Sequence, residues 1–82
     1  MNNDYNPKAD LELYKKCKAV IHTDWHRKTN KQWQLNIAVT EIGNKIEGQI
    51  YQILKEYYTI KELYIETKDK CYLFQYQLGV KE

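Results

Sequence analysis

Between His22 and Trp33 the chain reads HTDWHRKTNKQW, a run that holds both histidines, one aspartate, three cations and both tryptophans of the sequence. Three chemistries compete for it: metal ligation, a grip on nucleic acid, and contact with another protein. His22, Asp24 and His26, with Cys17 nearby, are metal-ligand types, and two histidines four apart share a face if the segment is helical. HxDxH is not a standard zinc spacing, however, and Cys71 is the sole candidate elsewhere to complete a tetrahedral set. No metal and no other cofactor is expected.

The charge is unevenly distributed. Lys15, Lys16, Lys18, Arg27, Lys28 and Lys31 face only Asp24 between positions 15 and 31, so this segment carries +5 in a chain whose net charge is +2, leaving −3 for the remainder. A basic pole of this kind draws phosphate backbones or acidic protein surfaces over a range set by salt. Trp25, Trp33 and the histidines interleave with the cations, and aromatic rings beside lysines suit stacking on exposed bases. Arginine, the preferred residue for phosphate forks, occurs once, which leaves room for the plainer reading that lysines on the outer face of a helix and in a loop serve only solvation. The partner-binding residues read from this pattern are Lys15, Lys16, Lys18, His22, Trp25, His26, Arg27, Lys28, Lys31 and Trp33.

Support for catalysis is thin. There is no serine, no glycine-rich phosphate loop and no carboxylate pair spaced for acid–base work. A histidine with Arg27, Lys28 and a tyrosine is a set that cleaves RNA in some metal-independent endoribonucleases, but here residue type is its whole basis. The chain is read as a non-enzyme.

The elements that must position these residues follow from periodicity. With 82 residues the chain suffices for one domain with a small core. Asn6 followed by Pro7 starts a helix, by capping and by giving up an unpartnered amide. Leu13, Tyr14, Cys17, Val20 and Ile21 then extend its apolar stripe to about residue 21; if residues 18 to 26 are extended instead, this helix shortens and the sheet gains a strand. Trp33, Leu35, Ile37 and Val39 alternate with polar residues as a strand does. Ile42, Ile46, Ile50, Ile53 and Tyr57 recur at helical spacing, although Gly43 and Gly48 weaken the first half and leave a hairpin turn open there. IKELYIET and KCYLFQYQL are two β-rich runs around a turn near Lys68 and Asp69, with Tyr64, Tyr72, Phe74 and Tyr76 expected in cross-strand ladders. Gly79 is read as the end of the last strand.

The resulting expectation is one α+β domain over residues 1–82, with residues 1–6 as a tail. Its order is helix, strand, helix, hairpin, and its helices cover one face of a sheet of about three strands. Cys17 and Cys71, with no secretory signal, are expected as free thiols in a cytoplasmic protein, with a single disulfide between them as the lesser alternative; no run approaches the roughly 20 apolar residues of a membrane span. Eight tyrosines exceed what so small a core absorbs, so some should be exposed, as interface tyrosines are. Lys, Asn, Ile and Tyr are spelled by A- and T-rich codons and are abundant, which points to a low-GC bacterium or its phages. Together these features suggest a small binding protein, such as a phage or mobile-element inhibitor of the anti-CRISPR kind, that sterically blocks a larger protein or nucleoprotein. In that reading the cations steer approach to an acidic partner. Direct nucleic-acid binding by the basic, tryptophan-containing patch is the alternative, and a homodimer completing its sheet across a two-fold axis fits either.

Overall fold

A computed structural model of the chain describes residues 6–68 and 70–81; residues 1–5 of the expected tail, Asp69 of the expected hairpin turn and Glu82 lie outside them. The elements are α1 (Pro7–Lys16), β1 (Val20–Thr29), β2 (Gln32–Val39), α2 (Asn44–Tyr57), β3 (Tyr58–Lys68) and β4 (Cys71–Val80). The strands form one antiparallel sheet in the order β1-β2-β4-β3. The α+β class holds, but the strands number four rather than three.

The added strand is the run that periodicity assigned to the end of the first helix and a loop. Asn6 caps α1 through its side-chain oxygen, which accepts from the Lys8 amide at 2.9 Å. The helix stops at Lys16, and Cys17 turns extended while its N–H still reaches the Leu13 carbonyl at 3.1 Å. Val20 and Ile21 fit the helical stripe by spacing, yet β-branched residues followed by an alternating run favour a strand. Pairing of β1 with β2 over almost its whole length outweighs the helical alternative. Asn30 and Lys31 form a two-residue turn between the strands, where the Arg27 guanidinium donates to Asn30 Oδ1 at 2.7 Å and the Lys31 amide to Thr29 Oγ1 at 3.1 Å.

The remaining elements lie close to their expected bounds. α2 starts at Asn44 and runs through Gly48, so IGNKIEG contains a helix start and not a hairpin. β4 passes Gly79 and ends at Val80. The aromatic ladder is broken up. Tyr64 pairs with Gln75 and points away from Phe74 and Tyr76, whose rings lie 6.3 Å apart on the other face.

One core joins everything. Trp33, Leu35, Ile37 and Val39 of β2 and Phe74, Tyr76 and Leu78 of β4 are buried on one face of the sheet, in the same cluster as Ala9 and Leu13 of α1 and Ile46, Ile50, Ile53 and Leu54 of α2. Each fully buried large apolar side chain contributes about 1.5–3 kcal/mol. Tyr58 lies at the centre, with its ring centroid 5.8 Å from those of both Trp25 and Trp33, while its hydroxyl accepts from the Asn6 amide at 2.8 Å. Trp33 Nε1 and the Tyr76 hydroxyl are buried with no hydrogen-bond partner among the described residues, so packing alone holds these two rings.

At the helix pair, the Tyr57 hydroxyl donates to Glu12 Oε2 at 2.5 Å and Lys16 Nζ lies 3.2 Å from Glu12 Oε1. The Tyr57 bond first, then Lys16, holds the Glu12 carboxyl below its ordinary value of 4.5, and the same bond pushes the Tyr57 phenol up to about 12. A depressed carboxyl stabilises the fold above pH 4.5 and loses that contribution as pH falls through its folded value; a raised phenol stabilises below pH 10 and loses it as pH rises toward 12. The melting temperature should therefore drop below about pH 4.5 less steeply in Tyr57→Phe than in the parent, and equal acid slopes in calorimetry would remove Tyr57 from this role. A Cβ at Gly48 meets no atom within 4 Å, so Gly48→Ala should stabilise by about 0.5–1 kcal/mol in urea denaturation.

Candidate functional site

Alternation along the strands assigns twelve side chains to the sheet face opposite the core, in three rows set by register. His22, Ala38, Leu73 and Glu66 form one row, Asp24, Asn36, Gln75 and Tyr64 the next, and His26, Gln34, Gln77 and Glu62 the third. The centre consists of half-buried amides linked loosely, with Gln34 Nε2 donating to Asn36 Oδ1 at 3.4 Å and Gln77 Nε2 to Gln34 Oε1 at 3.5 Å. The first two rows enclose a hollow of about 260 Å³ with Ala38 and Leu73 in its lining. Tyr64 stands beside it, 60% exposed.

Within these three rows the formal charges are of one sign. Asp24, Glu62 and Glu66 lie in the three rows and no lysine or arginine does. His26 Nε2 sits 2.9 Å from Asp24 Oδ2 across successive positions of one strand face. As strand neighbours at alternate positions, His22, Asp24 and His26 do share a face, but for the strand's reason and not the helix's. Among the described residues, no group of three or more His, Cys, Asp or Glu is placed to hold a metal ion. Both cysteines are free thiols, Cys17 buried and Cys71 half-buried. Among the described residues no helix is long and apolar enough to cross a membrane.

The ten residues singled out by sequence do not assemble. Trp33 is 9% exposed within the core, and Trp25 is half-buried on the core side, where its Nε1 donates to Asp10 Oδ1 at 2.9 Å. Neither indole stands on the face that carries His22 and His26, because odd and even positions of a strand point to opposite sides. The cations divide as well. Lys15, Lys16 and Lys18 lie before the start of β1, Arg27 and Lys28 near its end, and Lys31 in the turn beyond, so about 26 Å of strand, from Val20 to Lys28, stands between the first group and Lys28. The basic pole expected from sequence thus becomes two basic ends.

Sequence reasoning missed the acidic face, since Glu62 and Glu66 are distant in sequence from Asp24, lie on the opposite edge strand and share its face only through the register of four strands. Period-two spacing of Glu62, Tyr64 and Glu66 was the available signal. Comparison with protein-family models, curated proteins and solved structures found no match to this chain.

Asp10 fixes the orientation of Trp25: its Oδ1 also accepts from Thr23 Oγ1 at 2.6 Å, and the Tyr14 hydroxyl lies 3.2 Å from that same Thr23 oxygen. Asp10→Ala should therefore cost about 1–3 kcal/mol in urea unfolding followed by tryptophan fluorescence, and clearly less in a Trp25→Phe background. A cost below about 0.5 kcal/mol would show that packing on Tyr58 suffices to hold the indole.

Proposed function

We propose that this protein is a non-enzymatic binding protein whose working surface is the acidic sheet face, and that it acts sterically by covering a basic surface on a larger protein. The observation that carries this reading is the pair of carboxylates, Asp24 and Glu66, that line the hollow together with Asn36, Gln75 and Tyr64, with Glu62 in the next row and no lysine or arginine in the three rows. The buried side chains of both helices belong to the core cluster on the other side of the sheet. Carboxylates arranged about a hollow match lysines and arginines in charge and geometry, and such complementarity accelerates encounter and fixes orientation. Tyr64 supplies the desolvated anchor, since an exposed tyrosine contributes area at low rotamer cost while its hydroxyl keeps a partner. Proteins that bind nucleic acid present basic surfaces, so the partner class is a protein that handles nucleic acid. A phage or mobile-element inhibitor of the anti-CRISPR kind fits this reading. The sign of the contact is opposite to the one expected from the cations between positions 15 and 31.

Capture of partners from a low-GC bacterial lysate treated with nuclease tests this. A basic protein should be retained by the parent chain, and Tyr64→Ala should weaken its affinity by about 2 kcal/mol, roughly thirtyfold. Asp24→Asn, Glu62→Gln and Glu66→Gln combined should slow association most at low salt. Undiminished affinity in both variants rules the face out as the contact.

A further inference from the structure

The same end of the sheet that holds the β1–β2 turn carries a second, oppositely charged feature. Gln32, Gly79 and Thr59 are register neighbours on β2, β4 and β3. Around them Lys31, Lys61 and Lys81 line a cleft of about 650 Å³. Each lysine is brought there by a different device. Lys31 sits in the turn, where its carbonyl accepts from the Val80 amide at 3.0 Å and ties the turn to the end of β4. Lys61 is the extra residue where the β3 register shifts between Ile60 and Glu62, and a bulge of this kind re-aims a side chain. Its stem crosses Gly79, with Cε 3.0 Å from where a Cβ would stand, so the absence of a side chain at Gly79 makes the passage. Lys81 Nζ donates to the Lys55 carbonyl in the last turn of α2 at 2.8 Å.

From this convergence we propose that the cleft binds the phosphate backbone of a nucleic acid. Three lysines contribute positive charge to this cleft, Lys81 with its ammonium held on the Lys55 carbonyl, and no carboxylate among the described residues lines it to offset that charge. An anion does. The lining has no aromatic ring and Val80 as its one sizeable apolar side chain, so it lacks both the anchors of a protein interface and a platform for base stacking. What remains is point-charge contact with phosphate oxygens, assisted by the Thr59 hydroxyl and the Gln32 amide, which positions a backbone without reading its sequence. The cleft uses none of the three carboxylates, so this inference stands apart from the proposed protein contact.

The test measures binding of a fluorescent dT20 strand and a 20-base-pair duplex of random sequence by anisotropy, between 50 and 200 mM salt. Three phosphate contacts give a log–log salt slope near −2 for the single strand, an affinity loss of roughly fifteenfold over that range. Lys31→Gln, Lys61→Gln and Lys81→Gln combined should weaken binding at least tenfold at 50 mM salt and flatten the slope. The charge-matched control, Lys15→Gln, Lys16→Gln and Lys18→Gln combined, should stay within threefold of the parent, and Asp24→Asn, Glu62→Gln and Glu66→Gln combined should bind at least as well as the parent. Circular dichroism checks that each variant is folded. Equal losses in the two lysine variants would overturn the proposal in favour of diffuse charge. So would a parent dissociation constant weaker than about 100 µM for both oligonucleotides at 50 mM salt.

Discussion

The phenol ring of Tyr58, held between the two indoles, is the contact on which this fold depends most. Trp25 comes from the edge strand β1, Trp33 from the central β2, and Tyr58 from the point where α2 becomes β3 at the opposite edge. The hydroxyl also receives the Asn6 amide at the start of α1. One side chain therefore ties both edges of the sheet and both helices together. In a chain too small for a thick core, large rings contribute more buried area per residue than aliphatics do. The consequence is that both tryptophans are used for structure. Burial raises the Tyr58 phenol above its ordinary value, with the Asn6 amide opposing in part, so the ring stays neutral inside the aromatic cluster.

Commitment of the indoles to the core side decides what the other side can be. A four-stranded antiparallel sheet with one buried face has an opposite face that water wets, and its composition is free of packing demands. Here that face is filled with amides, two histidines, three carboxylates and one prominent tyrosine. The lysines of the cleft are placed by the β1–β2 turn, by the β3 bulge and by the residue that follows β4. Along the strand direction the acidic rows are followed by the lysine-lined cleft. Such an arrangement orients a charged partner before contact as well as attracting it. The two proposals describe complementary halves of one surface, one matched to basic side chains and the other to phosphate.

Both edge strands carry irregularities that serve this arrangement. β1 is shifted in register around Ile21 and Lys28, and β3 around Lys61. Bulges at edges discourage pairing with another sheet and turn the side chain of the extra residue. At Lys61 the two effects coincide, since the irregularity that interrupts the β3 edge also sends an ammonium group across Gly79 into the cleft.

What the sequence determined by itself was the local and periodic part of this protein. The Asn6–Pro7 helix start, the alternation from Trp33 to Val39, the helical recurrence of Ile46, Ile50 and Ile53 and the carboxy-terminal hairpin all follow from side-chain geometry within a few residues. Residues 18 to 26 were ambiguous because Val20 and Ile21 satisfy both periods, and pairing with β2 made the choice. Only the tertiary structure decided which charges meet. Asp24 shares a sheet face with Glu62 and Glu66 through strand register, and Lys31, Lys61 and Lys81 line one cleft through a turn, a bulge and a contact with α2, whereas Lys18 and Lys28, close in sequence, stand at opposite ends of β1. A strand advances about 3.3 Å per residue, while neighbouring strands lie about 4.8 Å apart. Ten positions along one chain therefore separate two side chains more than the width of the whole sheet separates strangers.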